Sequence, residues 1–115
     1  MIINHIKQTQ TKQIVSDLVK DTSIQVLVGE KEGWDSHVMR VLTVEKGGHT
    51  PKHEHPWPHI NYVLEGHGSL QIDDKLHPLS PGSYAYVDAN TLHQFKNTSN
   101  EPFKFICIVP KEGHQ

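Results

Sequence analysis

Only one cysteine, Cys107, occurs in the 115 residues, so no intramolecular disulfide can form and a reducing compartment is expected. Nor does either sign of charge dominate. Lys and Arg total 11 against 13 Asp and Glu, for a formal net charge of −2. Without a basic footprint for phosphate backbones, nucleic acid is not an expected partner. Long apolar runs are missing, and Met1 to Gln10 lack the apolar stretch of a signal peptide, so no membrane partner is expected and the cytoplasm is the expected location. There is no repeat, low-complexity tract or long linker to divide the chain. A single domain of this length buries about two thirds of its unfolded surface without staples, so a bound metal would be functional before it is structural. No serine or cysteine nucleophile with an accompanying base is visible. No cluster of Arg and Lys marks a sugar-phosphate site, and no helix-turn-helix segment is present to transmit a signal.

What the chain has in quantity is histidine, ten in all. The run His53-Glu54-His55-Pro56-Trp57-Pro58-His59 places two imidazoles two residues apart, on one face of an extended segment, and returns a third after a Pro-Trp-Pro kink. His93, at the start of a later strand-like segment, is positioned to supply a fourth. Neutral imidazoles are common ligands of divalent transition metals, and His53, His55, His59 and His93 are the candidate metal ligands. Glu54 has the opposite parity and is expected to point away from the metal. The side chains of Asn61 and Gln94, or backbone carbonyls, are candidates to fix the second nitrogen of a ligand ring. His5, His37, His49, His67, His77 and His114 are expected on the surface.

Short segments rich in β-branched residues, punctuated by Gly and Pro, predict strands over Ile24 to Val28, Ser36 to Val44, His59 to Leu64, Ser69 to Ile72, Lys75 to Leu79, Ser83 to Val87, His93 to Asn97 and Phe103 to Val109. Lys46-Gly47-Gly48 is expected to end the second of these. Asp73-Asp74 and Ser80-Pro81-Gly82 read as turns. An amphipathic pattern over Thr11 to Lys20 predicts a short helix. So many short strands argue for a sandwich or closed barrel.

The spacing of glycines around the histidines carries a family resemblance. Gly47, His53, His55, His59 and Gly66 resemble the first cupin motif, and Gly82, Asp88, Asn90, His93 and Asn97 resemble the second. The chain is similar to the small single-domain four-histidine cupins, nearest to the manganese-binding kind known from a hyperthermophilic bacterium. The likeness extends to Pro56-Trp57, to Val63-Leu64 before Gly66, and to the closing Ile108 to Gly113. It implies an all-β double-stranded β-helix, or jelly-roll barrel, over residues 23–115. Residues 1–22 would form an arm able to pack on a partner subunit in a homodimer. Two departures stand out: His59 replaces the usual Glu, and Asp88 and Asn90 replace the usual Pro and Gly. Four neutral ligands would leave the centre with a charge near +2 and more Lewis acidic. Asn90 can take the left-handed conformation that Gly would adopt.

Around the histidines, Trp57, Arg40, Phe95, Phe105 and Cys107 are candidates for a substrate pocket. Trp57 is a wall of that pocket or a core anchor. Arg40, inside the apolar run Val38 to Leu42, either faces solvent or anchors a carboxylate or phenolate. Phe103, Phe105, Cys107 and Val109 share one face of the last strand. Beyond the metal centre no catalytic residue is assigned. One divalent transition metal is expected, manganese or iron first, with zinc, nickel or copper as alternatives. The expected function is a mononuclear dioxygenase acting on a small apolar or aromatic molecule with dioxygen, and the resemblance adds oxidative cleavage of a carbon–carbon double bond. The alternatives are a non-redox isomerase, cyclase or lyase, and a metal- or ligand-binding protein without turnover.

Overall fold

A computed structural model of the chain describes residues 1–114. Nine strands form one curled sheet: β1 (Lys12–Gln13), β2 (Lys20–Val28), β3 (His37–His49), β4 (His59–Glu65), β5 (Gly68–Ile72), β6 (Lys75–Leu79), β7 (Tyr84–Val87), β8 (His93–Lys96) and β9 (Phe103–Pro110). Three single 3-10 turns, at Ile6–Gln8, Glu30–Glu32 and Lys111–Gly113, are the only helical elements among the described residues. The architecture is the all-β single domain that the strand spacing predicts.

The sheet runs β6-β5-β8-β3-β9-β4-β7, with β2 added on β3 and β1 on β2, and the strand pairs are antiparallel. The long β3 is what curls it. Its first part pairs with β9 on one side and β2 on the other, while its last residue, His49, pairs with Lys96 of β8. β3 therefore continues through Lys46-Gly47-Gly48 instead of ending there. Gly47 adopts φ +75, a bend that glycine accepts without strain, and Asn97 accepts a hydrogen bond from its N–H through the main-chain carbonyl at 3.0 Å.

Strict alternation on β9 decides what fills the barrel. Phe103, Phe105, Cys107 and Val109 are buried, and their register partners Val44, Leu42, Arg40 and Val38 form the facing inward column of β3. Burying each phenylalanine or leucine in such a column contributes about 1.5–3 kcal/mol. Leu70 of β5, Val63 of β4, Val87 of β7 and Phe95 of β8 complete the same core.

The helix predicted over Thr11 to Lys20 does not form. Lys12–Gln13 pairs with Ile24 and Ser23 instead, and Asp17 and Leu18 lie in a turn in which the Ser16 hydroxyl accepts from the Leu18 N–H at 3.1 Å. Ser16 thus offers the backbone a local alternative to a helix, and the β-branched Ile14, Val15 and Val19 weaken the helix further.

Candidate metal centre

The loop between β3 and β4 is tied to β8 before any ligand is considered. His53 and His93 exchange backbone hydrogen bonds of 3.1 and 3.0 Å, and the Asn90 N–H donates to the His55 carbonyl at 2.7 Å. Asn90 has φ +61, the left-handed conformation expected of it. Apart from this one bridge, residues 50–58 are irregular, so His53 and His55 converge from a pinned loop and not from a strand.

All four candidate rings meet. The donor nitrogens of His53, His55 and His93 lie within 4.8 Å of one another, a group able to hold a metal ion. His59 joins through its Nε2, 3.1 Å from Nε2 of His93. Five of the ring pairs among the four residues have centroids 4.8 to 5.3 Å apart.

Hydrogen bonds assign the proton on three of the rings. The Asn61 amide donates to the Ile106 carbonyl at 3.4 Å, which turns its oxygen toward His59, so His59 Nδ1–H donates to that oxygen at 2.6 Å. His55 Nδ1–H donates to the Trp57 carbonyl at 2.7 Å, and His93 Nδ1–H to the Thr91 carbonyl at 2.8 Å. With Nδ1 protonated, Nε2 of each neutral ring is left as a lone pair. Burial first, and then the neighbouring His93, push the pKa of His53 down to about 4 and that of His59 to about 3. Burial also lowers that of His93. Neutral, metal-ready imidazoles are the consequence.

The rings line one side of a cavity of about 460 Å³. All five pocket candidates border it. Trp57 stacks on His55 with centroids 4.9 Å apart and planes 9° apart, and Gly113 lies so close to the indole that a Cβ there would come 2.5 Å from Nε1. Phe95 stacks on Phe105 at 4.3 Å. Arg40 Nη2–H donates to Cys107 Sγ at 3.1 Å, so this arginine faces inward and not solvent.

Other residues depart from expectation. Of the two side-chain candidates for fixing a ligand ring, Asn61 does so, whereas Gln94 donates to the Thr50 carbonyl at 2.9 Å. Glu54 is exposed, yet it borders the cavity as the one carboxylate among the lining residues. His114, expected on the surface, is half-buried with its Nδ1 enclosed. Ile14 and Val19 line the cavity without having been candidates, because Ile14 reads locally as part of a helix face with Leu18 and only the fold turns Ile14 and Val19 inward.

Residues 40–109 match the Cupin domain family. Over its whole length the chain is 28% identical to the uncharacterized protein MJ1618 of Methanocaldococcus jannaschii, 95% of which is covered. It is 34% identical over 98 residues to the glucose-6-phosphate isomerase of Thermococcus kodakarensis; the match takes in 74% of this chain and 52% of the isomerase, about half of that enzyme's length. The polyketide cyclase RemF from Streptomyces resistomycificus superposes with a TM-score of 0.90 at 26% identity, over 96% of this chain and 79% of the cyclase.

Proposed function

The chain belongs to the cupin family, and on that premise we propose that His53, His55, His59 and His93 together hold one divalent transition-metal ion in a metal-dependent enzyme for a small organic substrate. The observation that carries this reading is the 3.1 Å approach of the His59 and His93 Nε2 atoms, whose rings have both committed their protons at Nδ1. Two lone pairs at that separation repel unless a cation or a proton lies between them, and burial disfavours the proton. The close approach of five of the six ring pairs also fits four residues that would hold one ion in common.

Within this reading the chain is a mononuclear dioxygenase that cleaves a carbon–carbon double bond of an apolar or aromatic substrate. Bound at the four rings, manganese or iron would supply redox chemistry toward dioxygen, whereas zinc or nickel would serve to polarise a carbonyl. The chain's own residues orient the substrate: Leu42, Phe95 and Phe105 offer it an apolar wall, and Trp57 holds the His55 ring in place. No lining residue other than Glu54 brings a carboxylate, which favours redox chemistry over proton transfer.

A non-redox cyclase or isomerase is the second reading, favoured by the likeness to RemF and to the isomerase. Its acid or base would be Glu54. The deciding experiment is elemental analysis of untagged protein purified without chelator, followed by turnover of aryl alkenes and polyphenols with and without oxygen. Manganese or iron with oxygen-dependent turnover supports the dioxygenase, turnover without oxygen supports the second reading, and tight ligand binding with no turnover supports a binding protein.

We propose a homodimer as well. Ile60, Tyr62, Tyr84 and Tyr86 pair across β4 and β7 and stay exposed on the outer face, with Tyr84 at 80%, and Met1 to Ile3 of the N-terminal arm are exposed too. Light scattering should give twice the chain mass, and Tyr84→Asp should reduce it to the monomer.

A further inference from the structure

Among the described residues, Arg40 has no acidic partner within ion-pair distance. It sits in the inward column of β3 between Val38 and Leu42, opposite Cys107 on β9, and borders the cavity. Its Nη2–H meets only the thiol sulfur, a weak acceptor, and its Nε is buried with no hydrogen-bond partner. Among the described residues the one ion pair is Lys104 with Glu65, at 4.0 Å, and it does not involve Arg40. The other buried side-chain polar atom without a partner is Nδ1 of His114. Burial first, and then the Arg40 charge, lower the His114 pKa. Arg40 is half-buried, its enclosed Nε lacks an acceptor, and its planar fork matches a two-oxygen anion.

We infer that Arg40 anchors an anionic group and that the cavity takes a small organic carboxylate. The carboxylate oxygens accept from the guanidinium N–H groups that border the cavity, the apolar body lies against Leu42, Phe95 and Phe105, and the far end is directed to the histidines. A divalent ion on neutral ligands would add positive charge to that of Arg40, and Glu54, the single lining carboxylate, is exposed at the rim, so the interior favours an anion. Where the reacting end lies rests on the metal-dependent reading above, whereas the carboxylate contact depends on Arg40 alone.

Calorimetric titration of benzoate and its neutral counterpart benzamide tests this, on protein both metal-loaded and stripped by chelator. Stripped wild-type protein should bind benzoate about tenfold or more tightly than benzamide. Arg40→Gln should lose that preference while retaining the metal content of the wild type. Equal binding of the two probes to stripped protein, no measurable benzoate binding, or an undiminished preference in Arg40→Gln would each overturn the proposal. If Arg40→Gln does not fold, the Arg40 Nε–H resonance of the wild-type protein decides. It should move with benzoate and not with benzamide, and an unmoved resonance would overturn the proposal. Protein that never retains metal but still prefers benzoate would refute the metal centre and leave the Arg40 site standing, so the two failures are distinguishable.

Discussion

Two groups of aromatic rings meet inside the barrel at nearly the same spacing, and they differ in what completes them. Phe95, Phe103 and Phe105 approach with centroids 4.3 and 5.2 Å apart, and the four imidazoles with centroids 4.8 to 5.3 Å apart. The phenyl group is finished by its own contacts: apolar surfaces leave water, and Phe103 is fully enclosed. The imidazole group is close-packed but polar, with lone pairs turned toward one another by carbonyl and amide acceptors behind each of three rings. Equal packing therefore does not mean equal stability. One cluster is a structural end point, and the other is arranged to receive a cation.

The sharpest way to separate them is Phe103→Ala. Deleting this ring should destabilise the fold by about 3–5 kcal/mol in denaturant titrations, by the same amount with and without metal. A metal-dependent cost would mean that the clusters act as one unit. His59→Ala should do the converse and reduce metal retention roughly 100-fold or more, beyond the 10–100-fold that an outer hydrogen-bond partner commands. Elemental analysis reads this directly, and unchanged metal content would remove His59 from the ligand set. Asn61→Ala should fall within that 10–100-fold range in a chelator competition, because it frees the His59 ring without deleting the donor. An affinity equal to that of the wild type would show that Asn61 does not orient the ring.

A further test uses pH, and its sign follows from the lowered pKa values of two of the rings. The pKa values of His53 and His59 in the fold, about 4 and about 3, lie below the 6.5 of the unfolded chain. As pH falls below 6.5 the unfolded chain takes up protons that the folded chain refuses, so metal-free protein should lose stability progressively from pH 6.5 down toward 4. Phenyl-cluster variants should shift the whole curve without changing its shape. Stability that stays flat across this interval in metal-free protein would contradict the lowered pKa values of these rings.

Much of this arrangement was legible in the residues. Period-two alternation grouped Phe103, Phe105, Cys107 and Val109 on one face of β9, and the fold turns that face inward. The turn at Asp73-Asp74 formed where expected, with Asp73 at φ +52, and β6 has the predicted bounds. The histidine spacing brought forward all four rings that converge. Three features were not legible. The segment Thr11 to Lys20 has an amphipathic spacing that local reading cannot distinguish from a helix, and what decides against it is the docking of Ile14 and Val19 in the cavity. Likewise, the length of β3 through Gly47 depends on β8 lying alongside. Arg40 was ambiguous between solvent and cavity, since its parity is shared with buried neighbours but its charge argues against burial.

By itself the sequence determined the all-β class, eight of the nine strands and the identity of the converging rings, because these follow from alternation, turn chemistry and the spacing of side chains along a few residues. Only the tertiary structure decided the protonation pattern of those rings and the unpartnered state of Arg40. Both depend on which acceptor stands behind or beside a side chain, and those partners come from different parts of the fold: the Ile106 carbonyl that turns Asn61 toward His59, and the lone Cys107 sulfur that meets Arg40. Partners so distant along the chain become neighbours only when the sheet curls, so no local pattern records them.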